Sequence, residues 1–531
     1  MAVPAAASVR DPNRYPPPAV TGLVDLLDRH VRERPRARAL VVNGDRGELS
    51  YGALAALADD VAGRLGGTGL RRGDAVALVC ANTAEFVVAL LGGVRAGLVI
   101  APMDPALPAS QMSARLEALG ARAVLLGPPA AGAAPIAQVP VPTWTLRVDV
   151  PRGGSPVAVL DTGALTAAPH VGGATRELAV DDALVLFTAG TTDLAKMVPL
   201  TQANVAASVQ GICACYELGP DDATVAVMPF FHGHGLFAAL LATLASGGCV
   251  LLPAGGRFSA HTFWDDMRAA DATWFTAVPT VHEILLERSA IEHPGPLVPA
   301  LKFARSCSAP LNTATQRALE RTLGAPLLSA YGMTESAHQA TSEPLPHQGL
   351  LKHGSVGRPT GVDVRVLDQN GHMCPVGTEG EIWVQGPTVA RGYLADPAET
   401  ARSFVDGWFR TGDLGSLDKD GDLFLTGRIK NLINRGGEKI SPEHVEDILA
   451  GCPGVAEAAV FAVPDATYGQ RVGAAVVVRE GWTTGSEEIL RYCRSRLAPF
   501  EVPDRLEVVA ALPHTAKGGL DRSAVEARFA R

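Results

Sequence analysis

The sequence predicts an α/β protein with a large N-terminal domain of layered α/β subdomains, a β-rich subdomain and a small α+β C-terminal domain. The chain is 531 residues long, which exceeds what one hydrophobic core usually supports. Short apolar runs alternate with helical patterns over most of that length, and the pattern changes near Gly357 and again near Gly427. Hydrophobic residues make up 47% and charged residues 19% of the chain, an ordinary balance for a globular protein.

The α/β alternation is clearest after residue 180. Ala183–Phe187 is an apolar run typical of a buried strand, and the polar loop Thr188–Lys196 follows it. Thr201 then has the features of a helix N-cap, with apolar residues at helical spacing behind it. A further helix is predicted at Thr313–Leu323, and further strands at Thr224–Met228, Cys249–Leu252, Thr273–Val278, Leu301–Arg305 and Pro326–Ser329. Strands separated by helices favour layers of mostly parallel strands.

From Gly357 onward the predicted strands are short and punctuated by glycines, which indicates a β-rich subdomain. These strands are Val362–Leu367, Gly380–Gln385 and Asp422–Leu425. A break at Gly427–Lys430 precedes a compact α+β unit, with strands at Ala456–Val463, Gly473–Arg479 and Arg505–Val509 and a helix at Ser486–Arg496. We therefore predict a disordered segment over 1–20, an N-terminal domain over 21–427 and a C-terminal domain over 428–531. Gly153–Gly173 is expected to form a surface loop.

Charge and cysteine content narrow the class of protein. The formal net charge is −9, without a long basic run, which disfavours nucleic-acid binding because such proteins neutralise phosphates with clustered Lys and Arg. Of the eight cysteines, only Cys213 and Cys215 lie close together, so we expect reduced thiols rather than a zinc site. The first 20 residues lack an unbroken apolar segment, and no apolar stretch of about 18 residues occurs. We therefore expect no signal peptide, no membrane span and a cytoplasmic protein; the oligomeric state stays open.

Two loops that follow predicted strands carry residues suited to phosphate and metal. Thr188–Lys196 combines a Gly, hydroxyl side chains and a Lys, a set that can surround a phosphate, although it lacks the Gly-Lys-Ser/Thr ending of a Walker loop. Tyr331–Glu335 offers a ring that can stack on a base, a hydroxyl for phosphate and a carboxylate for Mg²⁺. Each loop alone is also compatible with a structural feature, a polar turn in the first case and a capped helix start in the second.

Two further segments are rich in glycine and charge. Gly407–Asp413 places a carboxylate where it can accept hydrogen bonds from two ribose hydroxyls, with an Asp turn in a hairpin as the alternative. Gly427–Ile433, followed by Gly436–Pro442, carries charges at the predicted domain break, and a solvated charged face is the alternative.

Taken in this order and spacing, the four segments resemble the ATP-binding signatures of the adenylate-forming superfamily, which comprises acyl-CoA ligases, peptide-synthetase adenylation domains and luciferases. Within it, the chain most resembles the oxalate–CoA ligase branch, and the likeness covers nearly the whole chain after about Gly22. The segments that carry the closer match are Pro229–Leu236, Leu252–Ala260, Thr273–Thr280 and Arg305–Ala309. The resemblance implies ATP, Mg²⁺ and, as a co-substrate, CoA.

The resemblance also implies roles for individual residues in nucleotide binding. The phosphate loop would use Thr188, Gly190, Thr191, Thr192 and Lys196, and the nucleotide would be lined by Ser308, Ala309, Pro310, Tyr331, Gly332, Met333, Asp413 and Arg428, the last two at the ribose. Thr334 would contact the α-phosphate and Glu335 would hold Mg²⁺. Lys430 falls where the family has its hinge, at which a mobile small domain rotates between adenylation and acyl transfer.

The implied acid pocket consists of imidazoles and hydroxyls, which suit a small, doubly polar acid better than an acyl chain. Its members are His232, His234, Ser306, Ser308 and His338. His338 matches the last position of the segment Tyr-Ala-Met-Thr-Glu-Ala-x-His of oxalate-like ligases. The implied catalytic residues are His232, Thr334, Glu335, Lys430 and Lys517.

The chain departs from the family pattern in two places. The phosphate loop of the family reads Thr-Ser-Gly-Thr-Thr-Gly-x-Pro-Lys-Gly, and this chain differs from it at Ala189, Asp193, Ala195 and Met197. Asp193 places a negative charge near the expected position of the triphosphate, which is repulsive unless it binds metal or points away. The catalytic lysine of the family falls on Gly519, and Lys517 lies two residues earlier, a shift that redirects the side chain.

Three hypotheses for the function follow. The leading one is an ATP-dependent enzyme that adenylates a small, oxalate-like acid and transfers it to an acceptor such as CoA, with release of AMP and pyrophosphate. The second is a diazotase-type enzyme that activates nitrite and converts an amine to a diazo compound. The third is a nucleotide-binding pseudoenzyme.

Overall fold

A computed structural model describes most of the chain. The described residues are 21–42, 47–129, 141–152, 154–163, 178–188, 195–292, 301–479, 481–514 and 520–530. The predicted disordered segment at 1–20 lies outside them, as does about half of the predicted surface loop at 153–173. The described part of that loop, residues 154–163, contains a strand at Val157–Asp161, because these residues pair with the strand Thr143–Asp149, and the prediction of a loop is wrong there. The predicted site residues Gly190, Thr191, Thr192 and Lys517 also lie outside the described residues.

The first part of the chain builds a seven-stranded sheet in the order β7-β6-β5-β3-β4-β8-β9. Its elements are α1 (Asp28–Glu33), β1 (Arg38–Val42), β2 (Gly47–Ser50), α2 (Tyr51–Gly66), β3 (Ala75–Val79), α3 (Ala84–Arg95), β4 (Val99–Met103), α4 (Ala109–Leu119), β5 (Ala123–Leu126), β6 (Thr143–Asp149), β7 (Val157–Asp161), β8 (Asp182–Phe187), β9 (Met197–Thr201) and α5 (Gln202–Cys215). Strands β3, β4, β5, β6 and β8 pair in parallel. The predicted N-cap at Thr201 is present, since its hydroxyl accepts from the backbone N–H of Asn204 at 3.1 Å.

The next part contributes two more layers. Its elements are β10 (Ala223–Val225), a π-helix (His234–Leu241), α6 (Ala242–Ser246), β11 (Cys249–Leu252), α7 (Phe263–Ala270), β12 (Trp274–Ala277), α8 (Pro279–Glu292), β13 (Phe303–Ser306), α9 (Thr313–Leu323), β14 (Leu327–Tyr331), β15 (Thr341–Ser342) and β16 (Arg358–Pro359). Strands β10 and β11 join β1 and β2 in a four-stranded sheet, and β12 to β16 form a five-stranded sheet in chain order. In that second sheet, β12, β13 and β14 are parallel.

The β-rich subdomain and the C-terminal unit follow. The former contains β17 (Asp363–Leu367), β18 (Gly380–Gln385), α10 (Pro397–Ser403), β19 (Phe404–Val405), β20 (Trp408–Leu417) and β21 (Leu423–Arg428). The latter contains β22 (Ile433–Arg435), β23 (Glu438–Ile440), α11 (Pro442–Ala450), β24 (Val455–Asp465), β25 (Gly469–Val478), α12 (Ser486–Arg494), β26 (Arg505–Val509) and α13 (Arg522–Phe529). The C-terminal sheet has the order β23-β22-β25-β24, with β26 on β25.

The hydrophobic core is divided at the point where the sequence pattern breaks. Among the described residues, the buried clusters of the layered part and the β-rich part end by Leu425, and those of the C-terminal unit begin at Ile433. The predicted α/β class with a large N-terminal and a small C-terminal domain is confirmed. A domain boundary at residues 427 and 428 stays our proposal, and the separate clusters support it.

Several predicted segments have other limits in the structure, among them β10, β12, β13, β14, β21, β24, β25 and α12. β10 stops at Val225, because the carbonyls of Ala226 and Met228 accept hydrogen bonds from the side-chain amide of Asn82. β21 continues through the predicted break to Arg428, because it keeps pairing with β20 up to Asp413. α12 ends at Arg494. No helix among the described residues has the length and apolar character that crossing a membrane requires.

Candidate active site

The centre of the predicted acid pocket is His234, the first residue of the π-helix. Its side chain is buried, with Nε2 2.6 Å from the hydroxyl of Thr276 on β12 and Nδ1 3.1 Å from the hydroxyl of Ser308. π-helices are rare and occur mostly at functional sites. The parallel strands β12 and β13 end here, so their carboxyl ends present the hydroxyl side chains to the same imidazole.

His338 closes one side of the pocket. Its ring lies parallel to that of His234, with the ring centroids 5.2 Å apart. Two glycines allow this approach: a Cβ at Gly332 would lie 2.5 Å from the backbone of His338, and a Cβ at Gly233 would lie 2.9 Å from its side chain. Ser308 and His338 both have positive φ, at 75° and 64°. Strained backbone at non-glycine residues is concentrated at functional sites, and here it lies on both sides of His234.

Burial keeps both imidazoles neutral. Desolvation lowers the pKa of His234 well below its ordinary value, and the neighbouring His338 and Arg305 lower it further. Desolvation likewise lowers the pKa of His338, with contributions from Arg305 and His232. The rings therefore act near neutral pH as hydrogen-bond donors and acceptors rather than as charges.

Two of the predicted acid-pocket residues have a buried polar atom without a hydrogen-bond partner among the described residues: Ser306 at its hydroxyl oxygen and His338 at Nε2. Ser306 is 2% exposed and His338 is 7% exposed. Because burying an unpaired polar group costs about 1–3 kcal/mol, such atoms indicate a site that a polar ligand completes. His232 lies beside them, with its ring edge-on to Phe231. The structure thus brings His232, His234, Ser308 and His338 together, and Ser306 lies at the end of β13, two residues before Ser308.

Arg305, for which the sequence predicted no role, lies directly behind this pocket. Its side chain is fully buried, and it donates to the hydroxyl oxygens of Tyr216 at 2.8 Å and Thr276 at 3.2 Å and to Oε1 of Gln339 at 3.1 Å. Thr276 therefore links the guanidinium of Arg305 to the imidazole of His234. The only sequence signal was the presence of Arg305 in a segment that matched the oxalate branch.

The predicted base and ribose contacts lie together. The hydroxyl of Tyr331 donates to Oδ2 of Asp413 at 2.6 Å, and Nε of Arg428 lies 2.7 Å from Oδ1 of the same carboxylate. Asp413 is buried, and burial raises its pKa while Arg428 opposes that shift. The pairing of β20 with β21 sets this geometry, because Asp413 and Arg428 are directly opposite each other in the register.

The ends of the predicted phosphate loop are fixed by the β8–β9 hairpin, in which the backbone N–H of Thr188 donates to the carbonyl of Lys196 at 3.0 Å. Nζ of Lys196 lies 2.5 Å from Oε1 of Glu399 and 4.6 Å from the centre of the Tyr393 ring. The hydroxyl of Tyr393 in turn donates to Oε1 of Glu335 at 2.8 Å. Sequence reasoning missed Glu399 and Tyr393, because no motif marks them.

Several cations converge near Glu335. Burial raises the pKa of Glu335, whereas Tyr393, Lys196 and Arg428 act to lower it. The pKa of Lys430 is lowered by burial and then by repulsion from Arg428 and, more weakly, Lys196. Cations gathered around one buried carboxylate form an environment suited to a polyphosphate with its metal. Lys430 itself is exposed, in a short 3₁₀ turn (Ile429–Asn431) that joins β21 to the C-terminal unit.

The remaining predicted nucleotide residues border the same region. Ser308, Ala309 and Pro310 are exposed on the loop after β13, and Thr334 begins a 3₁₀ turn (Thr334–Ser336) after β14. Gly332 has a packing role against His338, as described above, and Met333 is half-buried before the turn.

Comparisons with known proteins agree with this architecture. Residues 27–394 match the family described as AMP-binding enzyme, and residues 444–518 match the AMP-binding enzyme C-terminal domain. The chain therefore belongs to the AMP-binding enzyme family and is an AMP-forming ligase. The resemblance to the adenylate-forming superfamily, near its oxalate–CoA ligase branch, is thereby confirmed.

Similar proteins cover almost the whole chain. A probable CoA ligase of Humulus lupulus, CCL9, is 41% identical and matches over 96% of either chain. An oxalate–CoA ligase of Arabidopsis thaliana is 42% identical over 96% of this chain and 98% of its own length. Among solved structures, ATP-bound MatB from Rhodopseudomonas palustris is 30% identical, with a TM-score of 0.81 and coverage of 96% of this chain and 99% of that one.

Proposed function

We propose that this protein uses ATP to activate a small acid with two anionic groups, with oxalate as the first candidate, and transfers the acyl group to CoA. The observation that carries the proposal is the pair of buried, unpartnered atoms in the acid pocket, the Ser306 hydroxyl and His338 Nε2. The ring of His338 stacks on the neutral His234, Ser306 lies two residues before Ser308, which contacts the same imidazole, and Gly233 and Gly332 pack closely against His338. Such a pocket provides hydrogen bonds for a short, doubly polar acid and few apolar contacts for an acyl chain.

The other predicted residues have corresponding roles in the proposal. Tyr331, Asp413 and Arg428 hold the base and ribose, and Lys196 contacts the outer phosphates. Thr334 contacts the α-phosphate, where the acid carboxylate attacks and pyrophosphate leaves. Lys430 marks the hinge between the domains, at which rotation brings the acceptor to the acyl-adenylate.

Mg²⁺ fits the donor set at Glu335. This carboxylate is buried, it accepts a hydrogen bond from Tyr393 on one oxygen, and no Lys or Arg among the described residues lies within ion-pair distance of it. Burial of an anion without a direct counter-ion is costly, and a bound cation offsets that cost. Glu335 would hold the ion, which neutralises charge on the triphosphate.

The test is a measurement of AMP and pyrophosphate formation by the full chain with ATP, Mg²⁺ and CoA, across oxalate, malonate, acetate and nitrite. Oxalate-dependent AMP formation and oxalyl-CoA are expected. The variant Ser306→Ala should raise the KM for oxalate by about tenfold or more, the scale of one buried hydrogen bond to a charged group. Ser495→Ala, which removes a hydroxyl from the exposed surface, serves as the control. AMP formation with nitrite and an amine, but with no carboxylate, would contradict the proposal in favour of a diazotase.

The nitrite-activating enzyme and the pseudoenzyme have no support among the relatives named above. No feature of the described residues specifically supports either of these two hypotheses. They remain distinguishable outcomes of the same assay, since a pseudoenzyme would bind nucleotide without forming AMP from any acid.

A further inference from the structure

Arg305 is a buried cation without an anionic partner. Its three hydrogen-bond acceptors, Tyr216, Thr276 and Gln339, are all uncharged. No carboxylate among the described residues lies within ion-pair distance of its guanidinium. Arg122 provides the contrast within the same chain: it is 5% exposed, and its guanidinium lies 2.9 Å from the carboxylate of Asp74.

Burying an unpaired charge is among the most costly arrangements in a protein. A guanidinium cannot avoid the cost by losing its proton. Neutral hydrogen-bond partners satisfy its N–H groups but leave its charge uncompensated. The missing counter-charge is therefore expected from a ligand of the adjacent site, and the predicted acid pocket is that site, because Thr276 contacts both Arg305 and His234.

We propose that Arg305 is a positioning residue that selects acids with a second negative charge, and that the bound substrate supplies its counter-charge. This inference rests on the proposed function, because it concerns the acid pocket of that reaction. It also names the source of the selectivity for dianionic acids. That source is the buried guanidinium of Arg305, which acts through Thr276 and through its electric field, and not a charged histidine in the pocket.

The hydrogen-bond chain gives Arg305 a second effect on the pocket. Because Arg305 can only donate, one lone pair of the Thr276 oxygen accepts from it, and the Thr276 hydroxyl proton is free to donate to Nε2 of His234. In the tautomer that accepts this proton, Nδ1 of His234 carries the ring proton and donates to the oxygen of Ser308 at 3.1 Å. The hydroxyl proton of Ser308 is then available for an anionic substrate. Arg305 thus orients a set of donors toward the acid in addition to attracting it.

The same guanidinium keeps positive charge off the imidazoles. Repulsion from Arg305 adds to desolvation in lowering the pKa values of His234 and His338. Two negative charges on the substrate are therefore balanced by one permanent cation behind the pocket and by the cations of the phosphate site. A monoanion with the same shape forms the same hydrogen bonds at the reacting carboxylate but does not compensate Arg305.

Oxalate and oxamate are the matched probes, because an amide replaces one carboxylate with little change in size. Their dissociation constants are measured by equilibrium dialysis against the full chain with AMP present, at fixed pH and ionic strength, and their KM and kcat values are measured in the AMP-forming assay. The wild-type protein should prefer oxalate by about tenfold or more, the scale of a charge pair several ångströms apart in a partly desolvated site. Arg305→Met should bring the oxalate-to-oxamate preference close to 1, mainly through a change in KM. Arg305→Lys keeps the positive charge and should retain most of the preference.

Arg122→Met is the control for a purely structural effect, since it removes a buried guanidinium far along the chain from the pocket residues and should leave the ratio unchanged. Arg305→Gln is a second route if Arg305→Met does not fold, and the same collapse of the ratio is expected. An unchanged ratio in a folded Arg305 variant, or a wild-type ratio near 1, overturns the inference. If the wild-type protein binds oxalate with this selectivity but forms no AMP from it, the proposed function fails and the role of Arg305 stands.

Discussion

Nζ of Lys196 and Oε1 of Glu399 lie 2.5 Å apart, so the lysine at the end of the predicted phosphate loop is paired with a carboxylate from α10. The hydrogen bond from Lys196 lowers the pKa of Glu399 to about 2. The carboxylate therefore stays ionised at any working pH. A triphosphate that contacts Lys196 must compete with Glu399 for it.

Replacing that carboxylate should strengthen ATP binding. The pair is partly exposed, with 38% of the Lys196 side chain and 21% of the Glu399 side chain accessible. Exposed pairs contribute about 0–1 kcal/mol. Glu399→Gln should therefore lower the KM for ATP by about two- to fivefold, measured in the AMP-forming assay with saturating acid. Glu33→Gln, which alters an exposed pair on α1, is the control. A weaker affinity for ATP in Glu399→Gln would show instead that Glu399 orients the lysine for the phosphate.

The acid-binding step should not follow the titration of a histidine. The pKa values of His234 and His338 are both lowered, mainly by burial, so both rings are already neutral across pH 6 to 8. kcat/KM for the acid should then be flat with respect to imidazole ionisation in that range. His338→Gln should lower kcat/KM by about tenfold or more at every pH, because a buried hydrogen bond is lost. An inflection near pH 6.5 that disappears in His338→Gln would contradict the neutral state inferred here.

Glu283 on α8 is a pH-sensitive carboxyl group whose pKa is affected by charged side chains of the C-terminal unit. Burial, and secondarily the charge of Glu457, raises the pKa of Glu283 to about 7. A carboxyl group with a raised pKa in the folded state contributes stability that is fully present below its unfolded pKa of about 4.5 and is lost as pH rises through about 7. Glu283→Gln should therefore raise the melting temperature at pH 8 relative to wild type, with little or no gain at pH 5.

Thermal unfolding of both proteins at pH 5 and pH 8 measures this effect. The full shift corresponds to about 3 kcal/mol, and part of it is lost to solvent screening. Glu487→Gln, an exposed change in the C-terminal unit, should show no such difference between the two pH values. Equal melting temperatures of Glu283→Gln and wild type at pH 8 would mean that Glu283 is ionised there without cost.

The C-terminal departure from the family pattern gives a prediction that rests on the sequence, since Lys517 and Gly519 lie outside the described residues. Lys517→Ala should reduce the adenylation rate by less than about tenfold, because its displaced position makes good geometry improbable. Gly519→Lys should raise the rate by restoring a cation at the developing charge. The rates are measured at saturating ATP with protein shown to be folded. A loss of about a hundredfold or more in Lys517→Ala would instead identify it as a relocated catalytic lysine.

The sequence pattern predicted the limits of helices and strands correctly where neighbouring residues in the chain set those limits. β11, β18, β26 and α9 have the predicted limits, because each is bounded by a turn or cap residue that the sequence shows; Gly324, for instance, ends α9 with a positive φ of 64°. β10 and β21 differ because distant partners decide their ends. The side chain of Asn82 binds the backbone beyond β10 and so ends that strand. The pairing of Arg428 with Asp413 on β20 extends β21.

The same distinction applies to the site. The grouping of His234, Ser308 and His338 was predictable by resemblance, since all three lie in segments that matched a family pattern, and their role as an acid pocket stays a prediction. Arg305 and Glu399 were not, because their importance depends on what surrounds them. The sequence of an apolar strand does not show whether a carboxylate lies opposite its arginine. Only the fold shows that Arg305 donates to the uncharged side chains of Thr276 and Gln339.

The close packing of Gly332 against the backbone of His338 couples the position of the proposed nucleotide site to that of the proposed acid pocket. The eight residues from Tyr331 to His338 join the proposed base-binding edge to the proposed acid pocket, with a single 3₁₀ turn (Thr334–Ser336) between them. Because a Cβ at Gly332 would lie 2.5 Å from the backbone of His338, a shift of that backbone that widens the pocket also changes the packing of the loop that carries Tyr331 and Glu335. Laboratory evolution toward larger acids is accordingly expected to lose ATP affinity first, and to recover it through compensating changes in this loop rather than in the pocket wall.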